Sequence, residues 1–184
     1  ASLAAAMLNL QALNDPQSAA AIRAVAHRVK DARNVWVMGF GLSAHLAAIL
    51  TLGLQPYRNN VMMVVEYGGT EVAAARLMAA EKSDLVVAIS FPRYSSDVVD
   101  LALAAKSAGA RIVSITDSSA APLTRVSDDV LLAPAQHPVL SSSSLPGLAI
   151  IEALVSEYLL SDPAHLERAG KLAAAMTAYL AARD

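Results

Sequence analysis

Two stretches of the chain carry the residue types that hold an anion. Gly39-Phe40-Gly41-Leu42-Ser43-Ala44 combines two glycines with a serine, a spacing that allows a tight turn whose main-chain amides face a phosphate at the start of a helix. Ser90-Phe91-Pro92-Arg93-Tyr94-Ser95-Ser96 is dense in hydroxyls, and its arginine is the side chain suited to bidentate contact with a phosphate. A third stretch, Ser141-Ser142-Ser143-Ser144, stands directly before a long apolar run, where a helix N-terminus adds its own affinity for anions. The candidate ligand-binding residues are therefore Gly41, Ser43, Ser90, Arg93, Tyr94, Ser95, Ser96, Ser142, Ser143 and Ser144, with Gln136 added from the preceding loop.

Each stretch also admits plainer readings. Gly39 and Gly41 suit a simple chain reversal, Ser95 and Ser96 suit helix N-caps, and Arg93 suits a neighbouring carboxylate or a second subunit. The first turn further fits a dinucleotide site, with Ala44 as its third small residue and Glu66 placed to hold a ribose. A nucleotide-binding fold has little need for the second hydroxyl-rich turn, whereas a compact phosphorylated sugar needs several converging donors.

The elements that must position these residues follow from the apolar pattern. Runs at 35–40, 61–66, 85–90, 111–117 and 129–133 are rich in Val, Ile, Leu and Met without polar alternation, as expected of strands covered on both faces. Between them, 43–55, 70–80 and 96–108 are long enough for crossover helices, the last closed by Gly109. Asp15-Pro16 and Asp162-Pro163 start further helices; 3–13, 144–160 and 164–182 supply the rest. Alternating strands and helices predict an α/β three-layer sandwich with a five-stranded parallel sheet in the flavodoxin-like order 2-1-3-4-5. That order reverses between the first and third strands, so Ser43 and residues 90–96 should face one crevice at their carboxyl ends.

With 184 residues, the chain reads as a single domain over 1–184, with N-terminal helices at 1–33, sheet and crossovers at 34–134 and C-terminal helices at 141–184. A net charge of −2 with scattered Lys and Arg gives no basic stripe for nucleic acid. The absence of cysteine excludes disulfides and thiolate chemistry. The histidines at 27, 45, 137 and 165 show no paired ligand spacing, so no metal is expected. No leader or membrane-spanning stretch is legible, and the chain reads as soluble and cytoplasmic. The greasy helix at 3–13 suggests a partner subunit.

These residues resemble the SIS domain, the sugar-isomerase fold of phosphosugar isomerases and of bacterial sugar-responsive regulators, over nearly the whole chain. Gly39 to Ser43 matches the family's Gly-x-Gly-x-Ser, and Ser90 and Ser95 match the ends of its Ser-x-Ser-Gly-x-Thr loop; Pro92, Arg93 and Tyr94 replace the middle. Ile89 to Ser95, together with Ile115-Thr116-Asp117-Ser118, is similar to the RpiR-type transcriptional regulators. The resemblance implies an effector domain that binds a small phosphorylated sugar, forms a homo-oligomer (dimer or tetramer) and meets DNA only through a separate N-terminal domain; no cofactor is expected, and the lack of an acidic residue in the loop after the fifth strand favours binding without turnover. Two helices before the first strand leave no room for that domain here.

The alternative is aldose-ketose isomerisation, which needs a base to move a proton between adjacent carbons and a second group to open the ring. Related isomerases carry Glu or His near the loop after the fifth strand; here that loop offers Gln136 and His137 and no carboxylate, leaving His137 as the catalytic candidate. A dinucleotide-binding protein is the second alternative.

Overall fold

Residues 1–66 and 68–181 are described by a computed structural model. Helix α1 (Ser2–Leu13) is followed by α2 (Pro16–Asp31), which begins where the Asp15 carboxylate accepts hydrogen bonds from the Gln17 and Ser18 amides at 2.9 and 3.0 Å. Then come β1 (Val35–Gly39), α3 (Leu42–Leu54), β2 (Val61–Met63), α4 (Gly69–Leu77), β3 (Leu85–Ile89) and α5 (Ser96–Ser107). The chain ends with β4 (Arg111–Thr116), a 3-10 turn at Pro122–Arg125, β5 (Asp129–Leu132), α6 (Leu145–Leu160) and α7 (Pro163–Ala181). Residue 182 of the helix expected at 164–182 lies outside the described residues.

The five strands are parallel in the order β2-β1-β3-β4-β5, the order expected from the sequence. Alternate side chains enter two separate apolar layers. Val35, Val37, Leu85, Val87, Ile89, Val113 and Ile115 pack against α2, α3 and α6. Trp36, Met38, Val86, Ala88 and Ile112 pack against α4 and α5. Each fully buried aliphatic side chain contributes about 1.5–3 kcal/mol, so both faces are held by burial and neither is left to water.

β2 is shorter than the apolar run 61–66. Val64 still donates to the Val37 carbonyl at 2.8 Å, but the chain then bends out of the ladder toward α4.

Because both faces are apolar, hydrophobicity alone does not set the strand register. A polar cluster at the amino ends of the strands does. Asp84, 2% exposed, accepts from Arg33 Nε and Nη2 at 3.0 and 3.2 Å, Asn34 Nδ2 at 3.0 Å, Trp36 Nε1 at 3.1 Å and the Glu81 amide at 3.1 Å. Its own carbonyl accepts from the Arg111 amide at 3.1 Å, so one residue ties the entrances of β1, β3 and β4. Burial alone would raise the Asp84 pKa, but the bonds from Arg33, Trp36, the Glu81 amide and Asn34 outweigh it and hold the carboxyl below the usual carboxylate range.

A lowered folded-state pKa contributes stability that is present above the unfolded value, about 3.9, and is lost as the pH falls through the folded one. Asp84→Asn is expected to cost about 2–4 kcal/mol at pH 7, with the gap to the native protein shrinking in acid. Urea titrations at pH 7 and below pH 4 measure it; an equal gap at both would contradict the assignment.

Candidate functional site

The turn after β1 is closed so tightly that only glycine fits its first position. A Cβ on Gly39 would lie 2.4 Å from the Ser43 carbonyl oxygen, and Gly41 has φ of +56°. The Ser43 amide donates to the Phe40 carbonyl and the Ala44 amide to the Gly41 carbonyl, both at 3.1 Å. Ser43 is thereby set in the first turn of α3, 9% exposed.

Three chain segments meet above this turn. Residues 40–43 and 46, 91–93, and 141, 142 and 144 line a groove of about 170 Å³ at the carboxyl ends of β1 and β3, where the strand order reverses. Leu46 and Phe91 form its apolar floor and are buried. The N-termini of α3 and α6 both reach it, through Leu42 and Ser43 and through Ser144, bringing positive ends of helix dipoles.

The groove is rich in donors that have no acceptor. Among the described residues, the side chains of Ser43, Arg93, Ser141 and Ser144 make no hydrogen bond or ion pair. Ser142 alone is engaged, its hydroxyl donating to the Pro92 carbonyl at 2.9 Å. Arg93 is exposed, is the one ionisable side chain among the described lining residues, and no carboxylate or histidine stands with it. Such an arrangement suits an anion bearing several acceptor oxygens.

The structure thus brings together Gly41, Ser43, Arg93, Ser142 and Ser144 and adds Ser141, which had no sequence signal separating it from its neighbours. The expectation that all of 90–96 faces the crevice is corrected. Ser90 lies beneath the groove, 4% exposed, with its carbonyl accepting from Thr116 Oγ1 at 2.7 Å and its amide donating to Ile115. Tyr94 turns toward the end of β4, where its hydroxyl donates to Asp117 at 2.7 Å. Ser95 and Ser96 open α5 outside the groove lining, and Ser95 makes no side-chain cap bond.

The loop after β5 is likewise split by its hydrogen bonds. The Ser143 hydroxyl accepts from the Leu145 amide at 3.4 Å, and Ser143 is buried. Gln136 has an exposed side chain and offers its carbonyl to Asn9. His137 folds back on its own turn, Nδ1 accepting from the Val139 and Leu140 amides at 3.1 and 2.8 Å, so it does not line the groove. A ribose-binding Glu66 is equally engaged elsewhere, its carboxylate paired with Arg76 at 2.8 Å.

A larger cavity, about 400 Å³, lies between α2, β5 and α6. Its one charged lining group is the Asp15 carboxylate, which repels a phosphate. Among the described residues no cluster of His, Asp or Glu has the makings of a metal site, and no helix is long and apolar enough to cross a membrane.

The family model described as the SIS domain matches residues 29–159. Among solved structures, the sugar isomerase domain of the RpiR transcription factor from Sphaerobacter thermophilus is 28% identical, with 93% of this chain and 95% of that one covered at a TM-score of 0.81. The Vibrio vulnificus NanR protein complexed with ManNAc-6P is 23% identical at a TM-score of 0.78, covering 95% of this chain and 66% of that one. A hypothetical protein from Methanococcus jannaschii, inferred to be a 3-hexulose-6-phosphate isomerase, shares the fold at 15% identity and a TM-score of 0.70, with 90% and 93% covered.

Burial, then the hydrogen bond to Asp117 and its charge, push the Tyr94 phenol up to about 12. Tyr94→Phe should delete a step near that pH from the ultraviolet titration of the tyrosines. Asp117→Asn should move the step down toward the ordinary tyrosine value of 10, because the hydrogen bond to a carboxylate and its charge are lost. A titration unchanged by Tyr94→Phe would refute this placement.

Proposed function

Because the chain belongs to the SIS domain family, we propose that it is the effector domain of a sugar-responsive transcriptional regulator of the RpiR type and binds a small phosphorylated sugar without turning it over. The observation that carries this reading is the set of acceptor-free donors, Ser43, Arg93, Ser141 and Ser144, converging on the strand-order reversal. The phosphate sits against Ser43, Arg93 and the N-termini of α3 and α6. The sugar extends toward the open side, under the loop that carries Ser141 and Ser142. A groove of about 170 Å³ is smaller than the 300 Å³ and more typical of drug-sized ligands, which suits one phosphoryl group with part of a sugar.

Binding without turnover is supported by the chemistry of the lining. An enediol route needs a proton acceptor beside the reacting carbons, and the described lining residues supply hydroxyls, an arginine and apolar groups. His137 has its Nδ1 committed to its own turn. The likeness over most of both chains to the Sphaerobacter regulator domain supports the RpiR branch, and the ManNAc-6P bound to NanR supports the ligand class. In this reading DNA is met through a separate N-terminal domain in the cytoplasm, and the domain works as a dimer or tetramer. Leu3, Met7 and Leu8 on α1 and Leu42 and Leu52 on α3, all more than 60% exposed, are surfaces suited to that assembly.

Thermal denaturation against hexose 6-phosphates, N-acetylhexosamine 6-phosphates, pentose 5-phosphates and their unphosphorylated forms tests the reading. At a hundredfold excess over its Kd, a ligand adds about 2.7 kcal/mol of stability. Arg93→Ala should weaken phosphosugar binding by roughly 10- to 100-fold, the worth of a hydrogen-bonded contact to a charged group, and Arg93→Lys should restore part of it. Equal stabilisation by unphosphorylated sugars would overturn the proposal, and isomerisation of a stabilising sugar would make the protein an enzyme.

A further inference from the structure

Helix α1 carries no charged side chain and buries one residue, the polar Asn9, at 5% exposure. A buried amide is costly unless its hydrogen bond is made. Asn9 makes it to the loop that roofs the groove: Nδ2 donates to the Gln136 carbonyl at 2.8 Å. From there a short hydrogen-bonded path leads to the groove. The carbonyl next to Gln136, that of Ala135, accepts from the Ser143 amide at 2.8 Å, and the adjoining Ser142 hydroxyl donates to the Pro92 carbonyl across the groove at 2.9 Å. The intervening residues are gathered into one turn by the His137 Nδ1, which accepts from the Val139 and Leu140 amides. A displacement at Ser142 is therefore passed along the loop instead of being absorbed by it.

We propose that Asn9 is a positioning residue for this loop, and that the docking of α1 and the occupancy of the groove are thermodynamically linked through the path Asn9, Gln136, Ala135, Ser143, Ser142. The link rests on the phosphosugar reading of the groove. An anionic oxygen is a stronger acceptor than the Pro92 carbonyl, so a bound phosphate draws the Ser142 hydroxyl away from it. The loop then moves as a unit and shifts the Gln136 carbonyl against Asn9, and a hydrogen bond weakens steeply with angle and distance. Apart from Asn9, α1 is held by side chains that are only half-buried, Leu13 against the core among them, which makes it the element that yields. By reciprocity, whatever fixes or frees α1 changes ligand affinity by the same factor.

Hydrogen exchange read by mass spectrometry on the whole chain tests this, with native protein compared with Asn9→Leu and with Asn9→Ser in case the first fails to fold. The probe is the phosphosugar that stabilises the protein most, or inorganic phosphate at tens of millimolar if none does. In native protein the probe should alter exchange in both the loop at 134–144 and α1 by about fivefold or more. In the variants the loop should still respond, α1 should not, and probe affinity should change by a comparable factor. A native α1 indifferent to a probe that protects the loop would overturn the link, as would variants whose affinity and α1 response are unchanged. If no probe protects the groove segments, the phosphosugar reading fails, and the link is judged on ligand-free protein: Asn9→Leu should speed exchange at 135–143 while leaving β3 protected. An unchanged loop there would overturn it independently.

Discussion

The Asp84 carboxylate receives five hydrogen bonds from Arg33, Asn34, Trp36 and Glu81, and the site at the far end of the sheet depends on this cluster. A parallel sheet with apolar side chains on both faces has little to tell one register from its neighbour, since a shifted strand still buries aliphatic groups. A buried carboxylate is different: left without its donors it is strongly unfavourable, and only one register lets the Trp36 indole and the Asn34 amide reach it. β1 and β3 are five residues each, roughly 17 Å at the rise of a strand. Register set at their entrances therefore sets the height at which Gly39 and Ile89 release the chain into the two turns that frame the groove.

At that end the polar accounting is reversed. Around Asp84 the acceptor is saturated with donors; around the groove the donors outnumber the acceptors, with Ser43 nearly buried and Arg93 left to solvent. Hydroxyls and a guanidinium held close together without protein partners stay open to solvent, and an anion with several oxygens is the kind of ligand they could hold together. The same imbalance explains why Ser142, the one engaged hydroxyl, is the natural point at which occupancy alters the loop above it.

The loop after β5 divides its work by backbone direction. Ser142 points across the groove, Ser143 turns inward to the start of α6, and Gln136 offers its carbonyl outward to α1. His137, the residue with the chemistry of a base, serves the turn between them. A short segment thus reaches the groove on one side and the N-terminal helix on the other.

The architecture was legible in the amino-acid order because it follows from local and additive physics. Unbroken apolar runs of strand length, alternating with helix-length segments, leave a doubly covered parallel sheet as the economical burial, and the observed order β2-β1-β3-β4-β5 is the expected one. Gly39, Gly41 and Ser43 were equally legible, since backbone closeness and a helix start are properties of adjacent residues. What only the tertiary structure decided is which hydroxyls line the groove. Ser90, Ser95 and Ser143 are chemically the same as Ser43, Ser141 and Ser144, and the difference is where the folded chain places them: Ser90 is buried beneath the groove, Ser95 opens α5 outside its lining, and Ser143 is buried with its hydroxyl accepting from the Leu145 amide. Tyr94 was claimed by Asp117 from a distant turn, whereas His137 was claimed within its own. Hydrogen bonds act over about 3 Å, so partners separated by tens of residues are settled by folding in three dimensions and leave no mark in the local sequence.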